Sequence, residues 1–288
     1  YTAGQVSVAD LTGGLPALAG VQAEVEQVAQ INSKDMTLAH WQSLLQRLAH
    51  HLARPEVRSV IVTHGTDTIE ETAFLLQTLL QPAKPVVLAC AMRPATALVP
   101  DGPQNLMDAL SVAATPGARG VVAVCAGQVH QARHVQKVHT YRLNAFDSGD
   151  AGPLGCVEEG RLRIWQAWPE GVADRPLLEK LLATAAWPRV ELITSHAGAD
   201  GALVRALLAA SLPSAPLRGL VVAGTGNGTV HQGLTHALND ARAQGVQVRL
   251  TSRCAKTGSS IVSTTAGALA TPSRVMVPRL AASPNVAR

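Results

Sequence analysis

The run Thr63-His64-Gly65-Thr66-Asp67-Thr68 gathers hydroxyls, an imidazole and a carboxylate into six residues directly after the apolar stretch Val60-Ile61-Val62. A threonine hydroxyl is a weak nucleophile until a neighbouring base takes its proton. A carboxylate at a helix N-terminus is favoured by the helix dipole. Capping alone explains one of Asp67 and Thr68, since both types cap helices, but it does not explain the whole run. Lys137 adds a second hint. It is one of five lysines in a chain that uses Arg nineteen times, and a cation that must lose its proton cannot be Arg.

Other reactive types are weaker signals. Ala91-Met92-Arg93-Pro94-Ala95-Thr96 follows an apolar run, and Asp101-Gly102-Pro103 opens a helix with Pro just inside its start. Arg93 reads as readily as an ion-pair partner. His130 and His134 are four apart and could share a helix face, but without an acidic third ligand they read as solvated histidines. Cys90, Cys125, Cys156 and Cys254 are isolated, so zinc is not expected, and Cys90 and Cys125 read as buried free thiols. No cofactor is expected. Gly224-Thr225-Gly226-Asn227-Gly228 lacks the glycine spacing and the downstream acid of a dinucleotide site. Thr12-Gly13-Gly14 follows no apolar strand and reads as a loop.

These residues need elements to position them. Apolar runs at 58–63, 85–90, 120–125, 190–194, 220–223 and 246–251 read as buried strands. Helical patterns fall at 68–81, 104–114, 177–186 and 230–243, the first with Thr68 and Glu71 spaced as a capping box. The alternation predicts α/β architecture with mostly parallel sheets covered on both faces, and ligands bound beyond the strands' carboxyl ends. A further strand at 162–168 precedes a charged stretch, which places a linker at 168–188 between domains 1–167 and 189–288.

Composition narrows the function classes. The chain has 288 residues, 47% hydrophobic and 15% charged, so it can bury a sizeable core. Only eight aromatics occur; the core must be Ala, Val and Leu, and a base-stacking surface is excluded. The net charge of +4 is dispersed, which argues against nucleic acid, and no apolar run reaches the ~18 residues of a membrane span.

With these motifs in view, the chain resembles the bacterial-type L-asparaginases. His64-Gly65-Thr66-Asp67-Thr68-Ile69-Glu70-Glu71-Thr72-Ala73 is similar to a family signature, and the match continues through Ala91 to Thr96, Asp101 to Leu106, Lys137, Gly152 to Gly155, Gly226 to Gly228 and Ser252-Arg253. Upstream, Tyr1 to Gly4 and Ser33-Lys34-Asp35-Met36 also fit. The resemblance implies two three-layer α/β domains, the N-terminal one larger. It implies hydrolysis of L-asparagine to aspartate and ammonia with weaker glutaminase activity, and a homotetramer built as a dimer of intimate dimers. A threonine attacks the side-chain amide, and matching positions assign the activating relay to Thr66, Asp67 and Lys137. Tyr1 matches the tyrosine that closes over the nucleophile. Ser33 matches the α-carboxylate contact, Asp67 suits the α-ammonium, the Ala91 carbonyl falls beside the scissile amide, and Asn227 is a contact from the C-terminal domain.

Three departures accompany the match. The family's nucleophile precedes the tyrosine, so it is expected upstream of Tyr1, and the closing helix is expected beyond Arg288. Lys34 stands where many relatives carry Gln or Glu against the α-ammonium, and its charge would repel that group unless it points away. The acid that some relatives contribute across the dimer is not evident between Gly258 and Leu269. Two alternatives stay open: a binding-only chain that holds aspartate without hydrolysis, and a relative of the tRNA-dependent amidotransferase subunit, which the dispersed charge disfavours. Compartment is undecided between cytoplasm and periplasm.

Overall fold

The computed structural model describes residues 23–254, and these divide between Trp187 and Pro188 into two compact units. The larger first unit runs α1 (Leu38–Ala53), β1 (Val60–Thr63), α2 (Ile69–Leu80), β2 (Val86–Ala89), α3 (Gly102–Ala113) and β3 (Val121–Cys125). Then come β4 (Gln128–Gln131), the two-residue strands β5 (Gln136–Lys137) and β6 (Phe146–Asp147), β7 (Gly155–Glu158), β8 (Arg161–Ile164) and α4 (Arg175–Ala183). The smaller second unit contains β9 (Arg189–Thr194), α5 (Ala202–Ala209), β10 (Leu217–Gly224), α6 (Gln232–Ala243) and β11 (Gln247–Ser252).

The six-stranded sheet of the first unit has the order β1-β2-β3-β4-β7-β8. Only its first half is parallel: β1, β2 and β3 run together, and β4, β7 and β8 continue as an antiparallel meander. The sheet is therefore mixed, and two tight hairpins bring in its antiparallel half. Ala126-Gly127 and Glu159-Gly160 each place both residues at positive φ (49° and 74°, 51° and 74°), as a two-residue type I′ connection demands. Neither pair has the Asn-Gly or Asp-Gly type that marks such turns in sequence.

Alternate strand residues face opposite layers. Val86, Leu88, Val121 and Ala123 pack with Ile69, Ala73 and Leu76 of α2 and Leu44, Leu45 and Leu48 of α1. Val87, Ala89, Val122 and Val124 pack instead against Ala109 and Val112 of α3. The core is built of Ala, Val and Leu with few aromatics, as the composition requires. The two crossovers advance in one direction across the sheet yet lie over opposite faces. They must be of opposite hand, so one is the rare left-handed form.

Helix α1 has no counterpart among the sequence expectations. Its Thr37 hydroxyl and the His40 ring cap each other's backbone reciprocally, with His doing what Glu or Gln usually does. The expected box at Thr68 and Glu71 does not form: Thr68 makes no side-chain cap bond, because its hydroxyl donates to the Ser33 carbonyl at 2.8 Å. Helix α4 falls within the stretch expected as a linker, and Leu178, Leu181 and Leu182 pack onto the core containing α1 and α2. Gln42 of α1 donates to the Leu181, Leu182 and Thr184 carbonyls.

In the second unit, β9, β10 and β11 form a parallel sheet of order β11-β10-β9. Among the described residues its helices cover one face, where Ile193, Leu220, Val222, Val248 and Leu250 meet Val204, Leu234 and Leu238. Leu192, on the opposite face, is 71% exposed.

Candidate active site

Strand β1 ends at Thr63, and its pairing extends one residue further, the His64 N–H donating to the Ala89 carbonyl at 2.8 Å. The chain then turns through Gly65-Thr66-Asp67 into α2, beyond the carboxyl end of a parallel strand. Gly65 is required by contact. A Cβ there would lie 2.5 Å from the Ser33 hydroxyl oxygen. Ser33 is buried in a 3-10 turn, Ser33–Asp35, and fastens the motif at two points. Its Oγ accepts the Asp67 N–H at 3.1 Å and its carbonyl accepts the Thr68 hydroxyl. With Oγ already accepting, the Ser33 hydroxyl hydrogen stays available to donate.

A hydrogen-bonded chain supports the turn from behind. The Trp41 indole N–H donates to Thr72 Oγ1 at 2.8 Å, and Thr72 Oγ1 lies 2.9 Å from His64 Nε2. The Gly65 carbonyl beside Nδ1 can only accept, so in the neutral ring Nδ1 carries the proton and the bare Nε2 accepts the Thr72 hydroxyl. Nδ1 donates to that carbonyl at 2.7 Å. Burial holds the His64 pKa below its ordinary value, in keeping with the neutral ring.

Lys137 reaches this turn from β5, whose ladder partner among the described residues is β6. Its Nζ donates to Thr66 Oγ1 at 2.8 Å and to Asp67 Oδ1 at 2.6 Å. Thr66 is buried, the Lys137 side chain is 20% exposed and that of Asp67 48%. Hydroxyl, ammonium and half-exposed carboxylate thus share one point, although 71 residues separate Thr66 from Lys137. The ammonium is largely withdrawn from solvent, while the half-exposed carboxylate keeps one side of the pair open to water.

The second wall follows β2. Asp101 accepts the N–H groups of Met92 and Arg93, both at 2.9 Å. The buried Asn105 donates to the Cys90 carbonyl at 2.7 Å and accepts the Ala126 N–H at 2.9 Å. These bonds fix Ala91 between two held peptides, and its carbonyl accepts no hydrogen bond among the described residues. Arg93 forms no ion pair among the described residues; its guanidinium donates to the Val99 carbonyl.

Lys34 pairs with Asp35 at 2.7 Å, its side chain 62% exposed. Asn227 is exposed in the turn that Thr225 and Thr229 close after β10 of the second unit. Tyr1, and the stretch between Gly258 and Leu269, lie outside the described residues. His130 and His134 share no helix face. His130 lies in β4, buried rather than solvated, its Nδ1 2.8 Å from the Ser148 hydroxyl. Cys90 and Cys125 are buried and free. Among the described residues no three His, Cys, Asp or Glu side chains gather as a metal site would need.

Two family models match the chain: "Asparaginase, N-terminal" over residues 1–169 and "Glutaminase/Asparaginase C-terminal domain" over residues 189–279. The chain belongs to the asparaginase family. Among relatives of that family, the glutaminase-asparaginase of Pseudomonas fluorescens biotype A is 33% identical over 86% of this chain and 67% of its own length. L-asparaginase 2 of Escherichia coli K12 is also 33% identical, over 88% of this chain and 71% of its own. The crystal structure of a probable cytoplasmic L-asparaginase from Campylobacter jejuni superposes with a TM-score of 0.76 at 30% identity, covering 86% of this chain and 78% of that one.

Within this asparaginase-family site, the motif residues and Lys137 were legible in sequence. Glu70, Trp41 and Thr72 were not assigned. The available signal was a pair of acids, Glu70 and Glu71, in a first turn where one suffices for the dipole.

Proposed function

We propose that this chain is an amidohydrolase that converts L-asparagine to L-aspartate and ammonia, with weaker glutaminase activity. The observation that carries the reading is the single Lys137 ammonium held between the Thr66 hydroxyl and the Asp67 carboxylate. Relatives named both L-asparaginase and glutaminase-asparaginase support the substrate class. The arrangement suits threonine-nucleophile chemistry. The relay runs from the neutral amine of Lys137: the attacking hydroxyl gives its proton to Thr66 as Thr66 gives its own to the Lys137 nitrogen across 2.8 Å, which leaves the ammonium. The new C–O bond forms as the amide carbon becomes tetrahedral. Ammonia leaves with the returned proton, and water then hydrolyses the ester to aspartate.

The substrate's charged ends have partners in this reading. The Ser33 hydroxyl donates to the α-carboxylate, and half-exposed Asp67 accepts from the α-ammonium in a charge-assisted bond. The Ala91 carbonyl takes the amide NH2, and the assignment of Asn227 to the substrate rests on the resemblance alone. Lys34 keeps its charge on Asp35 and takes no part. The threonine nucleophile, the Tyr1 lid and the homotetramer belong to the same proposal and rest on the resemblance alone.

The deciding experiment measures ammonia release from L-asparagine and L-glutamine by the whole protein and by Thr66→Val, Asp67→Ala and Lys137→Met. Each substitution is expected to cut turnover about a hundredfold or more, as loss of an acid–base or positioning group does. Undiminished turnover in Lys137→Met would remove the relay. Aspartate binding by calorimetry without ammonia from either amide would replace the hydrolase with a binding protein.

A further inference from the structure

Lys137 has an attachment that the relay does not use. It sits on a two-residue strand, paired among the described residues on one side, Lys137 opposite Phe146. Beyond it, the Val138 N–H turns to the Ala145 carbonyl. The Lys137 N–H points the other way and is accepted by the carboxylate of Glu70. Glu70 lies in the first turn of α2, four residues after Thr66 and three after Asp67. The helix that presents the relay hydroxyl and carboxylate therefore also grips the lysine's own peptide. Residue 137 is held at its backbone by Glu70 and at its ammonium by Thr66 and Asp67.

We propose that Glu70 is the positioning residue of this site, its carboxylate fixing the Lys137 main chain so that the ammonium falls on Thr66 and Asp67. Two observations argue that Glu70 does more than complement the helix dipole. Glu71, its neighbour in the same turn, is exposed and suffices for the dipole, whereas Glu70 is half-buried. Burial pushes the Glu70 carboxyl above the usual carboxylate range, a cost that the Lys137 N–H partly offsets. Without that acceptor, this partly buried N–H has no ladder partner to turn to among the described residues. A lysine reaching the site from so short a strand would then wander by fractions of an ångström, and such misplacement costs up to about a hundredfold in rate.

This inference rests on the relay reading of Lys137, so its test carries Lys137→Met as a reference. In the whole protein, kcat and KM for L-asparagine are measured for Glu70→Gln, Glu70→Asp and Glu70→Ala, each with its urea midpoint. Gln keeps an acceptor at the same reach and is expected to hold kcat within threefold of the parent. Asp is one methylene short and Ala has no acceptor; both are expected to lose tenfold or more in kcat with KM within twofold. If Ala does not fold, the contrast between Gln and Asp decides. Parent-like turnover in Glu70→Asp, or an equal fall in Gln and Asp, overturns the positioning role while an inactive Lys137→Met leaves the relay standing. An active Lys137→Met overturns the relay, and the inference with it.

Discussion

Single residues here behave according to what surrounds them. Thr66 and Asp67 announce themselves because hydroxyl and carboxylate adjoin in the chain, a property of sequence alone. His130 does not, because its burial depends on β4 lying between β3 and β7. It is 3% exposed, and among the described residues its Nε2 is buried without a hydrogen-bond partner. Burial holds its pKa down from the ordinary 6.5 to about 4, with Asp147 opposing weakly. Between those values the unfolded chain binds the proton and the folded one does not, so stability rises with pH across that window. The full contribution is present above about pH 6.5 and is lost progressively as pH falls toward 4. Urea unfolding at pH 7 and pH 4 is expected to show the parent losing about 3 kcal/mol more than His130→Leu. Equal losses in the two proteins would mean that His130 already charges within the fold.

At the scale of elements, long periodic segments were legible and short ones were not. The strands at 60–63, 86–89 and 121–125 and the helix at 69–80 fall within a few residues of their expected bounds. Their apolar periods are long enough to signal burial. Strands β5 and β6 are two residues each, too short for any period, and they carry Lys137. The β3–β4 and β7–β8 hairpins were missed because Ala126-Gly127 and Glu159-Gly160 hide positive φ behind unremarkable first residues. Ala126, at φ 49°, bears a left-handed cost of roughly 1 kcal/mol that Asn tolerates better. Ala126→Asn is expected to raise the urea midpoint by an amount worth about 0.5–1 kcal/mol, with ammonia release unchanged. The N–H that Asn105 accepts is retained in that variant. A lowered midpoint would show that the alanine methyl contributes packing that outweighs the strain.

In the molecule as a whole, the mixed sheet divides the labour of the first unit. Its parallel half ends in the motif turn after β1 and the Ala91 segment after β2, where ligands of such sheets bind. Its antiparallel half is a meander, and the connection between β4 and β7 carries the separate β5–β6 ribbon that brings Lys137 back. The relay is therefore non-local, its hydroxyl and its lysine 71 positions apart in the chain. Contacts of that span form only after the intervening chain has closed. The β5–β6 ribbon has two pairs in its ladder; Ala145 and Phe146 anchor its second strand in the core, and the strand carrying Lys137 is expected to open first. In a urea titration, ammonia release is expected to vanish below the concentration at which helical circular dichroism is lost; coincident transitions would place that strand within the cooperative core. The lysine's late arrival then acts as a checkpoint on folding. A chain with its sheet assembled but that strand undocked would be compact and inert, so the amide chemistry switches on only once the last non-local contact has been made.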